Sequence, residues 1–324
     1  MDLLISLAND SFAYSGVDNT FTVFKSINNL LYLIYSNKNK SIICYNLINF
    51  RKVNEIKNAH NSYITNFRHC LDNNNRRDLI LSISPNDNNI KLWNINNWEI
   101  LVNIKNLKIG NLCSACFLNE NNNTYIITNI YYWGDITELI KVFDTNGNKI
   151  KEINKLNDAI FFLDTFYDKK LSTNYIITGN IGQVTSFNYN KNEIYHTYCD
   201  NDHKGHFSVI INSNSNDDIK LIESSCDGNI RIWGFHSGLL FNKIKVNDNE
   251  LNGICLWNND YLFVGCDDNN LKLINLKNKN VIKILSGHNR EVLTVKKFIH
   301  PNYGECFISQ SLGDGEIKIW INKE

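Results

Sequence analysis

Near the C-terminal end the chain reads Asp314-Gly315-Glu316-Ile317-Lys318-Ile319-Trp320: a tight polar turn feeding a short strand that ends on a large apolar residue. Near copies stand at Asp87-Asn88-Asn89-Ile90-Lys91-Leu92-Trp93, Asp227-Gly228-Asn229-Ile230-Arg231-Ile232-Trp233 and Asp268-Asn269-Asn270-Leu271-Lys272-Leu273-Ile274. Weaker copies, Ile42-Ile43-Cys44-Tyr45, Ile140-Lys141-Val142-Phe143 and Val184-Thr185-Ser186-Phe187, fill the gaps. The final bulky residue of each copy marks a repeat. Seven markers, Tyr45, Trp93, Phe143, Phe187, Trp233, Ile274 and Trp320, recur at intervals of about 41–50 residues. A period of that length with several short strands predicts one four-stranded blade per unit, and so an all-β, seven-bladed β-propeller of antiparallel blades.

Around the last marker the order is Gly287-His288, an alternating apolar run from Val292 to Phe298, the turn Pro301-Asn302-Tyr303-Gly304, a second strand from Cys306 to Ser309, and the Asp-Gly turn. Asn makes up about one residue in six, and it suits turns better than helix or strand interiors. Its clusters, such as Asn73 to Asn75 and Asn119 to Asn123, fall between apolar runs and read as hairpin tips. No stretch sustains a helical period. The last unit has only three strands of its own, while Leu3 to Ala8 is a spare strand at the other end. The expectation is a ring closed by the N-terminal strand completing the last blade, with residues 1–324 forming a single propeller domain.

Thirty-three Lys and Arg balance thirty-three Asp and Glu, and the pI is about 7.1. Such balance argues against nucleic acid as a partner, since polyanion binders need clustered cations. No membrane span or signal is expected from the short apolar start. The nine cysteines are odd in number and scattered, several in predicted strands. That pattern suits buried reduced thiols and an intracellular location, cytoplasmic or nuclear. Cys113-Ser114-Ala115-Cys116 has no second pair, and three-residue spacing in a strand sends the two thiols to opposite faces. No metal and no cofactor is expected.

The Gly-His pair, the Asp six residues before the marker and the terminal Trp together resemble the WD-repeat family of β-propellers, over essentially the whole chain. The pair is present as Gly287-His288, Gly205-His206 and, modified, Ala59-His60. The Trp-Asp dipeptide is degraded, and only Phe143-Asp144 keeps the Asp. The resemblance implies a buried hydrogen-bond network within a blade. Its members would be His288, Ser309, Asp314 and Trp320 in the last unit, and His60, Asp87 and Trp93 in the second. In the fifth they would be His206, Asp227 and Trp233, where Glu223 takes the usual Ser position. Asp268 opens the equivalent turn of the sixth. His69, His196, His203, His236 and His300 show no such spacing.

Acids and histidines that recur once per blade read as structural, because a catalytic pair should be unique. No catalytic residue is assigned. The resemblance implies a non-enzymatic scaffold or adaptor for a protein or peptide partner, a monomeric propeller within a larger complex. The partner-facing rim would carry the residues just after the Gly-His position: Tyr63, Asn111, Phe207, Glu250, Arg290 and Glu291. Taken singly, each reads more readily as an ordinary solvated turn residue. The alternative is a propeller-fold hydrolase or lactonase with acids or metal ligands converging from different blades.

Overall fold

The computed structural model describes residues 2–8, 10–13, 19–105, 107, 114–130, 138–156, 160, 162–180, 182–213, 219–313 and 315–322. They form seven four-stranded sheets, the architecture of a seven-bladed β-propeller. Blade 1 comprises Phe21–Lys25, Leu31–Ser36, Ile42–Asn46 and Arg51–Ile56, here called strands a to d. Blade 2 comprises Asn66–Asp72, Arg77–Ser84, Asn89–Asn94 and Glu99–Ile104, and blade 3 Ala115–Glu120, Asn123–Ile130, Glu138–Asp144 and Lys149–Leu156. Blade 4 comprises Phe162–Asp168, Thr173–Gly179, Val184–Asn188 and Glu193–Tyr198, and blade 5 His206–Asn212, Lys220–Ser225, Asn229–Gly234 and Leu240–Lys245. Blade 6 comprises Leu251–Leu256, Tyr261–Cys266, Leu271–Asn275 and Asn280–Leu285.

In blade 7, strands a to c are Val292–His300, Gly304–Ser311 and Ile317–Ile321, and strand d is Asp2–Ala8. The pairing Leu3↔Trp320, Ile5↔Ile319 and Ser6↔Lys318 runs antiparallel, with bulges that absorb the extra residues. The spare N-terminal strand therefore completes the last blade.

The chain divides into two compact units. One is Met1–Asp18, Gly179–Ser186 and Tyr195–Glu324; the other is Asn19–Thr178 and Phe187–Ile194. Within each, the apolar core lies between neighbouring blades. In the second unit Leu79, Leu81 and Leu92 of blade 2 pack on Ala115, Phe117 and Ile126 of blade 3. In the first, Ile222, Ile230 and Ile232 of blade 5 pack on Ile254, Leu262 and Val264 of blade 6. The d strands are the exposed ones, as the largely exposed and half-buried strands Arg51–Ile56 and Leu240–Lys245 show.

One register position fastens a blade to a segment outside it. Ser36, Asn129, Ser224 and Gln310 each face the first isoleucine of their own strand c (Ile42, Ile140, Ile230 and Ile317). Each also donates a side-chain hydrogen bond to a carbonyl beyond its own blade: Ile64 at 3.1 Å, Ile160 at 2.9 Å, Asn252 at 2.5 Å and Phe12 at 3.3 Å. In blade 6 the position is Gly265, opposite Leu271. A Cβ there would lie 2.3 Å from the Val292 carbonyl oxygen. Blade 7 thus approaches by backbone contact where other blades use a side chain. We expect Gly265→Ala to destabilise the protein by about 1–3 kcal/mol, because the obstructing atom is backbone and cannot swing away. A urea titration checks this, and an unchanged midpoint would contradict it.

Candidate functional site

The second blade shows how its polar residues are used. Ser82 on strand b stands opposite Lys91, and two residues earlier Ile80 stands opposite Trp93. The strand period of two places Ser82 and Trp93 on one face. Trp93 Nε1 donates to Ser82 Oγ at 2.8 Å, and Ser82 Oγ is 2.8 Å from His60 Nε2. His60 is buried; its Nδ1 lies 3.5 Å from Asp87 Oδ2 and makes no hydrogen bond among the described residues. That carboxylate accepts the Asn61 backbone N–H at 2.6 Å. Lys91 Nζ donates to the Ala59 carbonyl at 2.5 Å, so the basic residue of strand c holds the loop that carries the histidine.

Blade 7 repeats the arrangement. His288 Nε2 lies 2.7 Å from Ser309 Oγ, which also accepts from Trp320 Nε1 at 2.8 Å. Lys318 donates to the Gly287 carbonyl. Asp314 lies outside the described residues.

Blade 5 brings a glutamate and a further histidine to the corresponding position. Glu223 stands where the other two blades have Ser, opposite Arg231. Its Oε1 accepts Trp233 Nε1 at 3.1 Å and lies 2.6 Å from Nε2 of His203. A glutamate reaches two bonds further than a serine, so the imidazole that meets it comes from earlier in the loop. His206 opens strand a opposite Ser225, and its side chain is not among those described. His203 thus belongs to the network although its spacing does not match.

Around Glu223 the blade is ionic. Arg231 is fully buried, with Nε 3.0 Å from Asp200 Oδ2 and its terminal nitrogens on Asp227 and on Ser225 Oγ. Lys243 adds contacts to Asp200 and Asp202. Burial pushes the Asp227 carboxyl up, but hydrogen bonds from Arg231, Ser225 and Asn229 outweigh it and hold the group well below the carboxylate range. In blade 6, Asp268 accepts the Asn270 N–H at 3.1 Å and pairs with Lys272 at 2.6 Å, while Ile274 fills the Trp position. Asp87, Asp227 and Asp268 are therefore each engaged within their own hairpin or its adjoining loop.

Burial, reinforced by Lys91, drives the His60 imidazole down to about 3 from 6.5. The folded protein keeps it neutral, whereas the unfolded chain takes up a proton below pH 6.5. Stability from this residue is thus complete above about pH 6.5 and is lost progressively toward pH 3. We expect the melting temperature to fall over this window, and less steeply in His60→Gln. The depressed carboxylates add their own loss at the acid end in both proteins. Parallel profiles for the two would show that His60 is not the titrating group.

The proposed rim residues fall in both units. Tyr63 is exposed in the loop before strand a of blade 2, within the second unit. In the first unit Glu250 and Glu291 each immediately precede a strand a, and Arg290 is exposed beside Gly313. The carbonyls of Glu250 and Glu291 accept the Asp267 and Leu312 N–H groups at 3.3 and 2.9 Å, so loops that leave the b strands meet them. Burial, then the charges of Asp267 and Glu291, raises the Glu250 carboxyl. Glu250, Asp267 and Glu291 are thus near one another. Asn111 lies outside the described residues, and Phe207 stands in strand a of blade 5 with its side chain not described.

Among the described residues, no group of three or more His, Cys, Asp or Glu is placed to hold a metal ion, and no helix is long and apolar enough to cross a membrane. The eight described cysteines are free thiols, and burial pushes several up, Cys44 and Cys266 to about 12.

No protein-family profile matches the chain. One hundred residues, 31% of the chain, are 26% identical to a stretch of the U3 small nucleolar RNA-associated protein 21 homolog of Schizosaccharomyces pombe, covering 11% of that protein. Another match, 107 residues or 32% of the chain, is 31% identical to the probable coatomer subunit beta' of the same organism, covering 13% of it. The matched stretches span only about a tenth of these relatives. The seven four-stranded sheets and the His–Ser–Trp contacts of blades 2 and 7 uphold the WD-repeat resemblance.

Proposed function

We propose that the chain is a single propeller domain acting as a non-enzymatic interaction scaffold. It presents the loops that precede its a strands to a protein or peptide partner. Tyr63, Asn111, Phe207, Glu250, Arg290 and Glu291 are the contact residues. The observation that carries this reading is where the polar groups go. His60, His203 and His288 and the acids Asp87, Asp227 and Asp268 are engaged within their own blades or the adjoining loops, whereas Tyr63, Glu250 and Arg290 stand exposed. Loops on a rigid sheet scaffold suit binding, since little ordering is left to do on association, and Tyr and Arg often dominate interfaces. The relatives' names, a coatomer subunit and a protein associated with a small nucleolar RNA, fit membership of a larger assembly. The reading places the protein inside the cell, in cytoplasm or nucleus, without nucleic acid or membrane as its direct ligand.

Cross-linking mass spectrometry on the protein in its native extract, beside a Tyr63→Ala, Phe207→Ala, Arg290→Ala variant, tests it. The expected result is a partner cross-linked next to these positions and lost from a variant that melts like the parent. Partners that cross-link elsewhere and survive the triple change would refute the rim assignment.

A further inference from the structure

In the second unit, hairpin tips of blades 2, 3 and 4 enclose a cleft of about 620 Å³. Its base is a fixed amide network. The Asn174 N–H donates to Asn190 Oδ1 at 2.9 Å, Asn190 Nδ2 to Glu120 Oε1 at 2.8 Å, and Asn174 Nδ2 to the Asn119 carbonyl at 3.2 Å. Around it stand Asn73, Asn121, Asn122 and Ser172; the last three hold positive φ values of 50°, 64° and 48° in their turns. Two large side chains reach the opening: Leu71, 38% exposed, and Tyr167, 49% exposed. Thr124 also borders a smaller cleft of about 340 Å³, again rich in asparagine.

The chemistry of this lining narrows the ligand. Among the described residues no Lys, Arg or His borders the cleft, so a phosphate, a sulfate or a nucleic-acid backbone would find no countercharge there. The lone carboxylate, Glu120, is already engaged by Asn190, so the cleft is not arranged around a cation. Asparagine amides and a serine hydroxyl both donate and accept. Their complement is a neutral molecule whose own groups do both, and hydroxyl groups fit that description. The half-exposed Tyr167 ring and Leu71 offer an apolar face to the C–H side of a sugar ring. We propose that the cleft is a binding site for a short neutral oligosaccharide, separate from the rim loops that precede the a strands.

The test uses the full chain with maltotriose, cellotriose, chitotriose and mannotriose, by titration calorimetry and saturation-transfer NMR. At least one should bind saturably, with transfer to its C–H protons. Tyr167→Ala should weaken binding about fivefold to tenfold, as loss of one ring contact implies, without changing the melting temperature. Tyr63→Ala should leave it unchanged. Absence of saturable binding by all four up to about 10 mM would overturn the proposal. So would binding that survives both Tyr167→Ala and Asn121→Ala, or selective binding of an uncharged Asn-rich peptide in place of the sugars.

Discussion

Trp320→Ala is expected to lower the stability of the protein by about 3–5 kcal/mol, the range for emptying a large buried aromatic site. Trp320 is 3% exposed and stacks on Phe307 at 5.8 Å with the rings 9° apart; Phe307 in turn stacks on Phe263 of blade 6 at 4.2 Å. The substitution therefore opens a void in the core shared by two blades. It also removes the indole donor from Ser309, although His288 remains as that hydroxyl's partner. Leu3 pairs across from Trp320, so the closing strand rests on the same residue. Denaturant titration of the variant gives the magnitude, and a loss under 1 kcal/mol would mean that the site collapses around the missing ring. Deleting residues 1–9 should show damage of the same kind, because it leaves strand c of blade 7 as an open edge.

Arg231→Ala should be comparably severe, about 3–5 kcal/mol, for an electrostatic reason. The guanidinium is wholly buried between Asp200 and Asp227, whose side chains are 17% and 9% exposed. Removing it strands two carboxylates in a place that solvates them poorly; Lys243 compensates only Asp200. Arg231→Lys should recover little, since a single ammonium cannot serve Asp200, Asp227 and the Ser225 hydroxyl at once. The discriminating measurement is the pH dependence of the variant's stability. With Asp227 no longer held down, the variant should gain stability relative to wild type as the pH falls through the carboxylate range. A constant difference at all pH values would assign the loss to packing alone.

Blade count, strand order and the closing strand were legible in the sequence because they rest on local signals. Turn chemistry and alternation within a few residues specify a hairpin, and repetition along the chain specifies the array. His60 and His288 belong to the same class, since each precedes its own blade at the usual spacing. The contacts of blade 5 were less legible. Glu223 accepts from Trp233 as a serine would, but its longer side chain also meets His203, a residue whose place in the loop the repeat spacing does not mark. The side chains that fasten one blade to a carbonyl beyond it share a register but differ in type (Ser, Asn, Gln and Gly), so no residue pattern announces them. The amide cleft is further still from the sequence, for it joins hairpin tips about one repeat apart whose asparagines read, one at a time, as turn formers.

The repeat by itself thus determined the fold, because every blade encodes its own strands and turns. Only the tertiary structure decided which buried groups meet and where a ligand could sit, because those depend on side-chain reach and on the packing of segments distant along the chain.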